Sequence, residues 1–296
     1  MVSQAGSDTV LIVPQREMVR LDACYTTYSF RREVSLRGDV RSRFVQYMTS
    51  DEPVAREAIE AIESGAVERL QRLLEEHRSL ATTRVVRPGA STLGGCRESR
   101  TLLHVLTDWP GNRPRGAETV SVLVAAGADV NARFEGSHEE RPLHWAASCD
   151  DVPVLDALLD HGADMEAPGA VIGGGTALAD AVAFGQWQAA RRLVDRGART
   201  VVWQAAALGL LDRVQRHFEG AASSPNASEE AEGSNLPSEV THAFWCACHG
   251  GQREVASYLL GLGADRNWIG YDHLTPLEAA RRSGAEDLVR WWEQLP

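Results

Sequence analysis

The chain repeats a short motif at a nearly constant interval. The motif reads Gly-Ala-Asp, or Gly-Ala-Arg in one copy, and its glycine stands at Gly127, Gly162, Gly197 and Gly263. The first two intervals are 35 residues, and the third is 66 residues, which is twice 33. Repetition at this interval predicts a stack of helix-pair units, because one unit of this size cannot bury its apolar face alone.

A second motif sets where each unit opens. Residues 141–147 read Arg-Pro-Leu-His-Trp-Ala-Ala, and residues 101–104 read Thr-Leu-Leu-His. Other units open with Thr at positions 176, 200, 241 and 275. A turn residue follows nine positions after each opening: Gly185, Gly209, Gly250 and Gly284, with Pro110 and Asp150 as substitutes. This offset predicts a short first helix that is capped at the opening residue and ends at the turn residue. An apolar second helix follows.

These motifs resemble the ankyrin repeat. The best single match is residues 122–132, which read Val-Leu-Val-Ala-Ala-Gly-Ala-Asp-Val-Asn-Ala. The resemblance covers residues 51–296. It implies an all-α ankyrin-repeat solenoid of about six to seven helix-pair units with β-hairpin-like connecting loops. It names no partner, because one fold hosts many functions.

The repeats divide the chain into two regions. Residues 48–296 are predicted to form the ankyrin repeat domain, with a terminal cap at 51–80 and repeats that open near 101, 141, 176, 200, 241 and 275. Residues 1–47 carry no repeat. We expect them to be an N-terminal extension, either a disordered or strand-like arm or a segment upstream of a natural start at Met48.

Two units depart from the regular length. Residues 219–239 carry five Glu and no Arg among Pro, Ser, Asn and Gly, which predicts a disordered acidic loop. Thr176 and Thr200 are only 24 residues apart, so the hairpin that normally joins two units is expected to be missing there. Residues 168–175, by contrast, form a long glycine-rich hairpin. They lack the Lys and the strand-to-helix context of a phosphate-binding loop.

Composition excludes several classes of function. The net charge of −11 argues against nucleic acid and anionic membranes as partners. All 30 basic residues are Arg, which excludes Schiff-base chemistry and a phosphate-binding Lys. Five irregularly spaced cysteines do not form a disulfide framework. No apolar run long enough for a membrane helix and no secretory signal is present, so the expected location is the cytoplasm.

A metal site and a cofactor are not expected. Cys246, Cys248 and His249 are close in sequence. Residues i and i+2 of a helix point about 200° apart, however, so the two thiols cannot share a tetrahedral ion. The chain also contains no His-Glu-x-x-His and no Gly-x-Ser-x-Gly motif.

The resemblance assigns a concave groove to the seventh and eighth residues after each opening position. Apolar and aromatic side chains on such a rigid surface are typical of partner anchors. The alternative is that neighbouring hairpins or long loops cover them. The groove residues singled out are Asp108, Trp109, Cys149, Phe184, Leu208, Cys248 and His249, and the hairpin rim is Ile172, Tyr271 and Asp272.

The fourth residue after each opening is expected to face the core between units. These residues are Val105, Trp145, Asp180, Gln204, Trp245 and Ala279. A buried carboxylate must be hydrogen-bonded or protonated. Asp180 is therefore expected to bond Gln204 or backbone donors, or else to hold a perturbed pKa at the groove floor. His104 and His144 are expected to bridge the backbones of neighbouring hairpins, as the family pattern implies.

Three hypotheses of function follow. The first is a non-enzymatic, monomeric module, without catalytic residues, that binds an unknown protein partner through the groove. The second is a small-molecule-binding or catalytic pocket, built from the loops at 85–118 and 168–175 over the groove, with Asp108, Asp180 or His249 as acid–base groups. The third is a scaffold that pairs with itself through the N-terminal arm or through Trp291 and Trp292.

Overall fold

The computed structural model describes residues 46–87, 98–222 and 238–295. The expectations for residues 1–45 and for most of the acidic loop lie outside these ranges. The described residues form a small N-terminal sheet followed by helices that come in pairs. None of their helices combines the length and the apolar character that a membrane crossing requires.

The first part of the described chain is a helix pair with a three-stranded sheet. Its elements are β1 (Tyr47–Thr49), α1 (Pro53–Ser64), α2 (Val67–Glu76), a 3-10 turn (Leu80–Thr82), β2 (Arg84–Val86) and β3 (Ser99–Arg100).

Six further pairs follow. They are α3 (Leu102–Thr107) with α4 (Gly116–Ala125), α5 (Pro142–Ser148) with α6 (Val152–Asp160), α7 (Ala177–Ala183) with α8 (Trp187–Asp195), α9 (Val202–Ala207) with α10 (Leu211–Ala222), α11 (Glu239–His249) with α12 (Arg253–Gly261), and α13 (Pro276–Arg282) with α14 (Glu286–Glu293); a 3-10 turn at Tyr271–His273 precedes α13.

Two opening residues, Thr101 and Thr275, cap the first helices of their units with their side chains. The Thr275 hydroxyl accepts a hydrogen bond from the Glu278 amide at 3.3 Å, and the Glu278 carboxylate accepts one from the Thr275 amide at 2.8 Å. This reciprocal pair satisfies two amides that the helix itself leaves unbonded. α3, α5, α7 and α13 each begin at the residue that follows a predicted opening position, which is 101, 141, 176 and 275 in turn.

Two starts are offset from the prediction. α9 is preceded by Val201 rather than Thr200, and the Val201 amide donates to Gln204 Oε1 at 3.0 Å. α11 begins at Glu239 because Ser238 caps it, with the Thr241 amide 3.2 Å from the Ser238 hydroxyl. The left-handed glycine that ends α11 is Gly251, with φ 71°, and not Gly250. The register of α11 is therefore one residue later than the spacing predicted.

The helices stack in two rows. The first helices contact each other in the order α1, α3, α5, α7, α9, α11 and α13, and the second helices lie behind them. Buried small side chains, among them Ala146, Ala147, Ala206 and Ala207, let the first helices approach closely. One apolar cluster runs from α1 as far as Ala279, and a second fills the C-terminal units. α9, α11 and α13 contribute to both clusters, so the packing is continuous along the first row.

The N-terminal sheet was not expected from the sequence. β1 pairs parallel to β2, with Tyr47 opposite Arg84, and β2 pairs antiparallel to β3, with Val85 opposite Arg100. The buried Arg84 side chain holds this sheet to the first repeat, with Nε 2.6 Å from Ser99 Oγ and Nη2 2.6 Å from the Arg133 carbonyl oxygen. Residues 85–86 and 99–100, which fall within the loop predicted at 85–118, are therefore parts of strands.

The shortened unit has the connection that its spacing predicted. α8 ends at Asp195 and α9 begins at Val202, so residues 196–201 form the whole link. Gly197 takes φ 104° directly after α8. That conformation favours glycine, because a side chain is strained there. The chain consequently passes from α8 to α9 without room for a hairpin.

Two first helices, α9 and α11, approach closely at Gly250, which follows α11. A Cβ at this position would lie 1.9 Å from the Ala207 carbonyl oxygen at the end of α9. The φ angle of Gly250 is −80°, so the constraint is the space between the two backbones and not the conformation. The distance between the ends of α9 and α11 therefore leaves no room for a side chain at position 250.

We predict that Gly250→Ala lowers the free energy of unfolding by about 1–3 kcal/mol, because α9 and α11 must move apart to admit the methyl group. Urea unfolding followed by circular dichroism measures the change. The matched control is Gly220→Ala on α10, where a Cβ meets nothing within 4 Å. The control is expected to leave stability unchanged or to raise it by up to about 1 kcal/mol. Equal effects of the two substitutions would contradict the close approach.

Candidate functional site

The ends of consecutive first helices form one edge of the stack. Asp108, Cys149, Phe184 and Leu208 are each the residue that follows α3, α5, α7 and α9. Because α3, α5, α7 and α9 contact each other in that order, these four residues lie in a row along the edge. The structure thus brings the sequence-predicted groove positions of these units together.

Trp109 is the most exposed aromatic side chain of this row, with 46% of its surface accessible. The residue before it is fixed in place. An Asp108 Oδ1 atom accepts a hydrogen bond from the Trp109 amide at 3.0 Å, and Asp108 Oδ2 is ion-paired with Arg100. The backbone that carries the indole is therefore held, while the ring itself faces solvent.

Phe184 and Leu208 are half-buried. The Phe184 amide donates to the Asp180 carbonyl oxygen at 2.9 Å, and the Leu208 amide donates to the Gln204 carbonyl oxygen at 3.0 Å. Leu208 also packs against the main apolar cluster. Each of these two side chains leaves only part of its surface for a partner.

His249 is buried beside the row and supports it. Its Nε2 atom lies 3.2 Å from the Val182 carbonyl oxygen, and its ring lies 5.1 Å from the ring of Trp187 and 5.5 Å from that of Trp245. Burial lowers the pKa of His249 to about 4, and the nearby Arg282 acts in the same direction. The imidazole is thus neutral at pH 7, and it joins α11 to α7.

The two cysteines of the predicted groove are not surface residues. The Cys149 thiol lies 3.7 Å from the Thr107 carbonyl oxygen, and the Cβ of Cys149 lies directly against Gly111. Cys248 is completely buried in the C-terminal apolar cluster. Burial raises the pKa of the Cys149 thiol to about 12 and also raises that of Cys248. Both residues therefore pack the interior and do not line the groove.

The one-residue offset of α11 explains the burial of Cys248. In α5, Ala147 lies three positions before the left-handed turn residue Asp150. In α11, Cys248 lies three positions before the left-handed Gly251, so it takes the place that Ala147 has in α5. Trp245 then takes the place of His144, and its Nε1 donates to the Leu274 carbonyl oxygen at 2.9 Å. The same type of bond is made by His104, whose Nε2 lies 3.2 Å from the Glu140 carbonyl oxygen. The bridging role expected of His104 is confirmed.

The rim residues contact their own loops. The Ile172 amide lies 3.4 Å from Asp180 Oδ1, and its side chain is half-buried. The Tyr271 hydroxyl lies 2.9 Å from His242 Nε2. Asp272 is exposed and forms an ion pair with Arg282. Each rim residue is therefore held by a hydrogen bond or an ion pair to a residue of its own unit or of the adjacent unit.

A pair of carboxyl groups lies behind the row, between the third and fourth units. Asp180 is completely buried, and its neighbour Glu140 is nearly so. Trp145 Nε1 donates to Glu140 Oε2 at 2.8 Å, and His138 Nδ1 lies 2.9 Å from the same oxygen. Sequence reasoning identified Asp180 but missed Glu140 and His138. The only sequence signal for Glu140 is its position directly before Arg141, the opening residue of its unit.

The environment separates the pKa values of the two carboxyl groups. Burial raises the pKa of Asp180 well above its usual value, and the Glu140 charge adds to this effect. Burial also acts to raise the pKa of Glu140, but the bonds from His138, Asp180 and Trp145 outweigh it, so that pKa is lowered. Asp180 therefore keeps its proton under conditions in which Glu140 has lost its own, as expected for adjacent carboxyl groups.

Asp180 and Gln204 do not bond each other. Gln204 Oε1 accepts from the Val201 amide, and Asp180 Oδ1 accepts from the Ile172 amide. The other oxygen of Asp180, Oδ2, receives no hydrogen bond from a donor in the described part of the chain, so its bond to Glu140 is one that the Asp180 proton donates. Asp180 thus has one of the expected backbone donors, and its burial raises its pKa, whereas the expected Asp180–Gln204 bond is absent. The reason is that α9 begins one residue later than predicted, so the Gln204 side chain bonds back to the Val201 amide, as the His144 ring does to the Arg141 amide in α5.

Within residues 46–87, 98–222 and 238–295, no cluster of three or more His, Cys, Asp or Glu side chains has a metal-binding arrangement. The pocket hypothesis requires the loops at 85–118 and 168–175. Residues 88–97 of the first loop lie outside the description, so this hypothesis stays an alternative.

The fold and the comparisons with known proteins agree on the class. The described chain is a helical repeat solenoid. Residues 113–202 match the family model of ankyrin repeats, in three copies. A segment of 44 residues, 15% of this chain, is 52% identical to the mouse (Mus musculus) RelA-associated inhibitor and covers 5% of that protein. Residues 113–202 are thus ankyrin repeats, and the described helices form an all-α solenoid of the kind such repeats build. Ankyrin repeats generally mediate protein–protein interaction, and the family is typically non-enzymatic.

We predict that Asp180→Asn removes a pH-dependent loss of stability. The folded wild type holds the Asp180 proton more tightly than the unfolded chain does, because its pKa is raised. The wild type is therefore destabilised as pH rises from about 4, the usual pKa of Asp, toward the raised pKa. The Asp180→Asn variant has no such proton to lose, and its amide can still donate to Glu140. Its free energy of unfolding relative to wild type should increase between pH 4 and pH 7.

Urea unfolding at a series of pH values measures this difference. The control is Asp195→Asn, which changes an exposed carboxylate on α8 and should follow the wild-type profile. Parallel profiles for wild type and Asp180→Asn would show that the carboxyl pair does not couple proton binding to folding.

Proposed function

We propose that this ankyrin array is a non-enzymatic module that binds a protein partner through the edge formed by the ends of its first helices. The contacts are Asp108, Trp109, Phe184 and Leu208, with Ile172, Tyr271 and Asp272 at the rim. Cys149, Cys248 and His249 belong to the packing behind this surface. We refer to the four contact residues as the groove row.

The observation that carries the proposal is the exposure of Trp109. A tryptophan with 46% of its surface in solvent keeps a large apolar area available to a partner, while its backbone is fixed by the Asp108 carboxylate. Large aromatic side chains on a rigid support are the commonest anchors of protein interfaces, because they bury much area and lose little conformational entropy. Trp109 meets both conditions.

Phe184 and Leu208 extend the apolar surface along the stack. They stand two and three units after Trp109, on helices that contact each other in order. A partner segment that lies along the edge would contact all three side chains in sequence. Such a segment needs apolar residues at intervals that match the unit spacing, which gives the groove row a preference for extended or helical segments.

The charge of the chain favours a basic partner. The net charge is −11, and five Glu lie within residues 219–239. An acidic protein attracts basic partners and accelerates their encounter, and added salt weakens this attraction. The same charge opposes nucleic acid and anionic membranes. We retain the expectations of a monomer and of a cytoplasmic location as part of this proposal.

The comparisons support a protein as the partner. The family model covers residues 113–202, which contain Phe184. The mouse relative is named as an inhibitor associated with RelA, but only 5% of its length is matched. The likeness therefore supports the class of interaction and does not carry that partner over to this chain.

We predict that the variant Trp109→Ala with Phe184→Ala loses a protein that the wild type retains. The immobilised full-length chain is incubated with a lysate of the source organism, and retained proteins are identified by mass spectrometry. Truncation of an interface anchor costs about 2 kcal/mol or more, which weakens binding by about 30-fold or more.

The matched control is Leu262→Ala. Leu262 follows α12, away from the groove row, and is 45% exposed, almost the same fraction as Trp109. The control should retain what the wild type retains. If all three proteins retained the same partners in the same amounts, the assignment of the groove row would be wrong.

A further inference from the structure

A cleft lies beside the shortened link between α8 and α9. The link consists of residues 196–201, whereas the connections from α6 to α7 and from α12 to α13 are more than twice as long. Where the hairpin is missing, a cleft of about 900 Å³ opens between the link, α9 and α10. This volume is within the range of about 300–1,000 Å³ that is typical of ligand sites. The cleft is separate from the groove row, since its lining contains none of the groove-row residues.

The cleft gathers positive charge in a strongly acidic chain. Arg199, Arg213, Arg216 and His217 line it, together with the single carboxylate of Glu239. Two of these groups have acidic partners. His217 Nε2 lies 3.0 Å from Glu239 Oε2, and Arg199 Nε lies 3.2 Å from Oε2 of Glu166 on the previous unit. The charge of the cleft therefore depends on the other two arginines.

Arg213 and Arg216 bond only neutral groups. Nη1 of Arg213 donates to the Thr200 hydroxyl at 3.0 Å, and Nε of Arg216 donates to the Asp212 carbonyl oxygen at 3.1 Å. In the described ranges neither guanidinium has an acidic partner within 4.0 Å. The two residues are three positions apart on α10, so their side chains are neighbours on one face of the helix. Together they present unneutralised donors to the cleft.

The floor of the cleft is apolar. Val202 and Ala205 are buried, Trp203 is half-buried, and the side chain of Val201 is 54% exposed. The Trp203 ring stacks on His242 at a centroid distance of 6.1 Å, which fixes its orientation. A ligand of this cleft therefore meets an apolar surface at the floor and two guanidinium groups on α10.

The geometry points to this cleft as a second interaction site, which takes an acidic peptide segment of a partner protein. The carboxylates of the segment would accept hydrogen bonds from Arg213 and Arg216, and an apolar side chain between them would rest on Val201 and Trp203. A guanidinium group can donate two parallel hydrogen bonds to one carboxylate. Arg213 and Arg216 therefore favour a ligand that carries carboxylates. The cleft thus favours an acidic partner segment, whereas the groove row is proposed to bind a basic partner.

A nucleic acid suits the cleft less well than a peptide. Its phosphates form a long, uniform line of negative charge, whereas the cleft is confined to one unit of a chain with net charge −11. The cleft also offers no exposed row of aromatic rings on which successive bases would stack. A short acidic segment brings its charge only to Arg213 and Arg216.

The test uses fluorescence anisotropy with a fluorescein-labelled peptide of sequence Glu-Asp-Glu-Leu-Phe-Glu-Asp-Glu and the full-length chain. We expect saturable binding that weakens as salt rises from about 0.05 to 0.5 M. Arg213→Gln with Arg216→Gln should weaken it about tenfold or more, because two charge-assisted hydrogen bonds are lost. The control Arg72→Gln with Arg78→Gln makes the same change of net charge on exposed residues of the N-terminal unit and should bind like wild type.

Five outcomes would overturn the inference, and the first four concern the binding measurements. They are absence of peptide binding to wild type, equal loss in the control variant, equal binding of a peptide with Gln and Asn in place of Glu and Asp, and tighter binding of a labelled single-stranded oligonucleotide. Binding that appears only after Glu229, Glu230 and Glu232 are replaced by Gln would assign the cleft to the chain's own acidic segment and overturn an external partner. Circular dichroism of each variant verifies that it is folded.

Discussion

The close approach of neighbouring first helices is the constraint on which the rest of the structure depends. Small side chains line their contacts, and the space above Gly250 is filled by the Ala207 carbonyl oxygen. A helix of six or seven residues is unstable alone, because too few of its hydrogen bonds are internal. Each first helix of α3, α5, α7, α9 and α13 is therefore stable only through its neighbours. The edge that carries the groove row exists because this stacking is regular.

The same constraint explains how the array tolerates a missing hairpin. α7, α9 and α11 remain in contact across the short link at 196–201, and Ala207 joins the main apolar cluster while Ala206 joins the C-terminal one. The first row is therefore continuous. Only the outer side opens, and the cleft beside Arg213 and Arg216 results. One departure in unit length thus leaves the groove row intact and creates a second surface of opposite charge.

Much of the fold could be predicted from the sequence, because each unit carries several local signals that agree. Thr101 and Thr275 cap helices where the spacing places them, and Gly185 and Gly284 are left-handed where the turn offset places them. The errors concern where α9 and α11 begin and, in α11, the register of the helix up to its left-handed Gly251. A helix start was inferred from Thr200 and Thr241, whereas Val201 and Ser238 are the residues that precede these helices. A shift of one residue turns a side chain by about 100°, so Cys248 points inward.

The site was less predictable, because its properties arise from contacts between units. Glu140 and Asp180 are 40 positions apart in the sequence, and their opposed pKa shifts depend on the burial that the stack imposes. The sheet of β1, β2 and β3 was missed since its strands have only two or three residues each. Arg213 and Arg216 read as an ordinary solvated helix face. It is the structure beside the shortened link that places both arginines in the lining of a cleft.

Hydrogen–deuterium exchange of the full-length chain, followed by mass spectrometry, tests the continuity of the first row most directly. The account predicts that peptides from α5, α7, α9 and α11 exchange slowly and to similar extents, because each helix is protected by the next. Residues 202–207, directly after the short link, are the decisive segment. If they exchanged at the rate of an unfolded chain while α7 and α11 stayed protected, the array would be two separate stacks and the continuous edge would be contradicted.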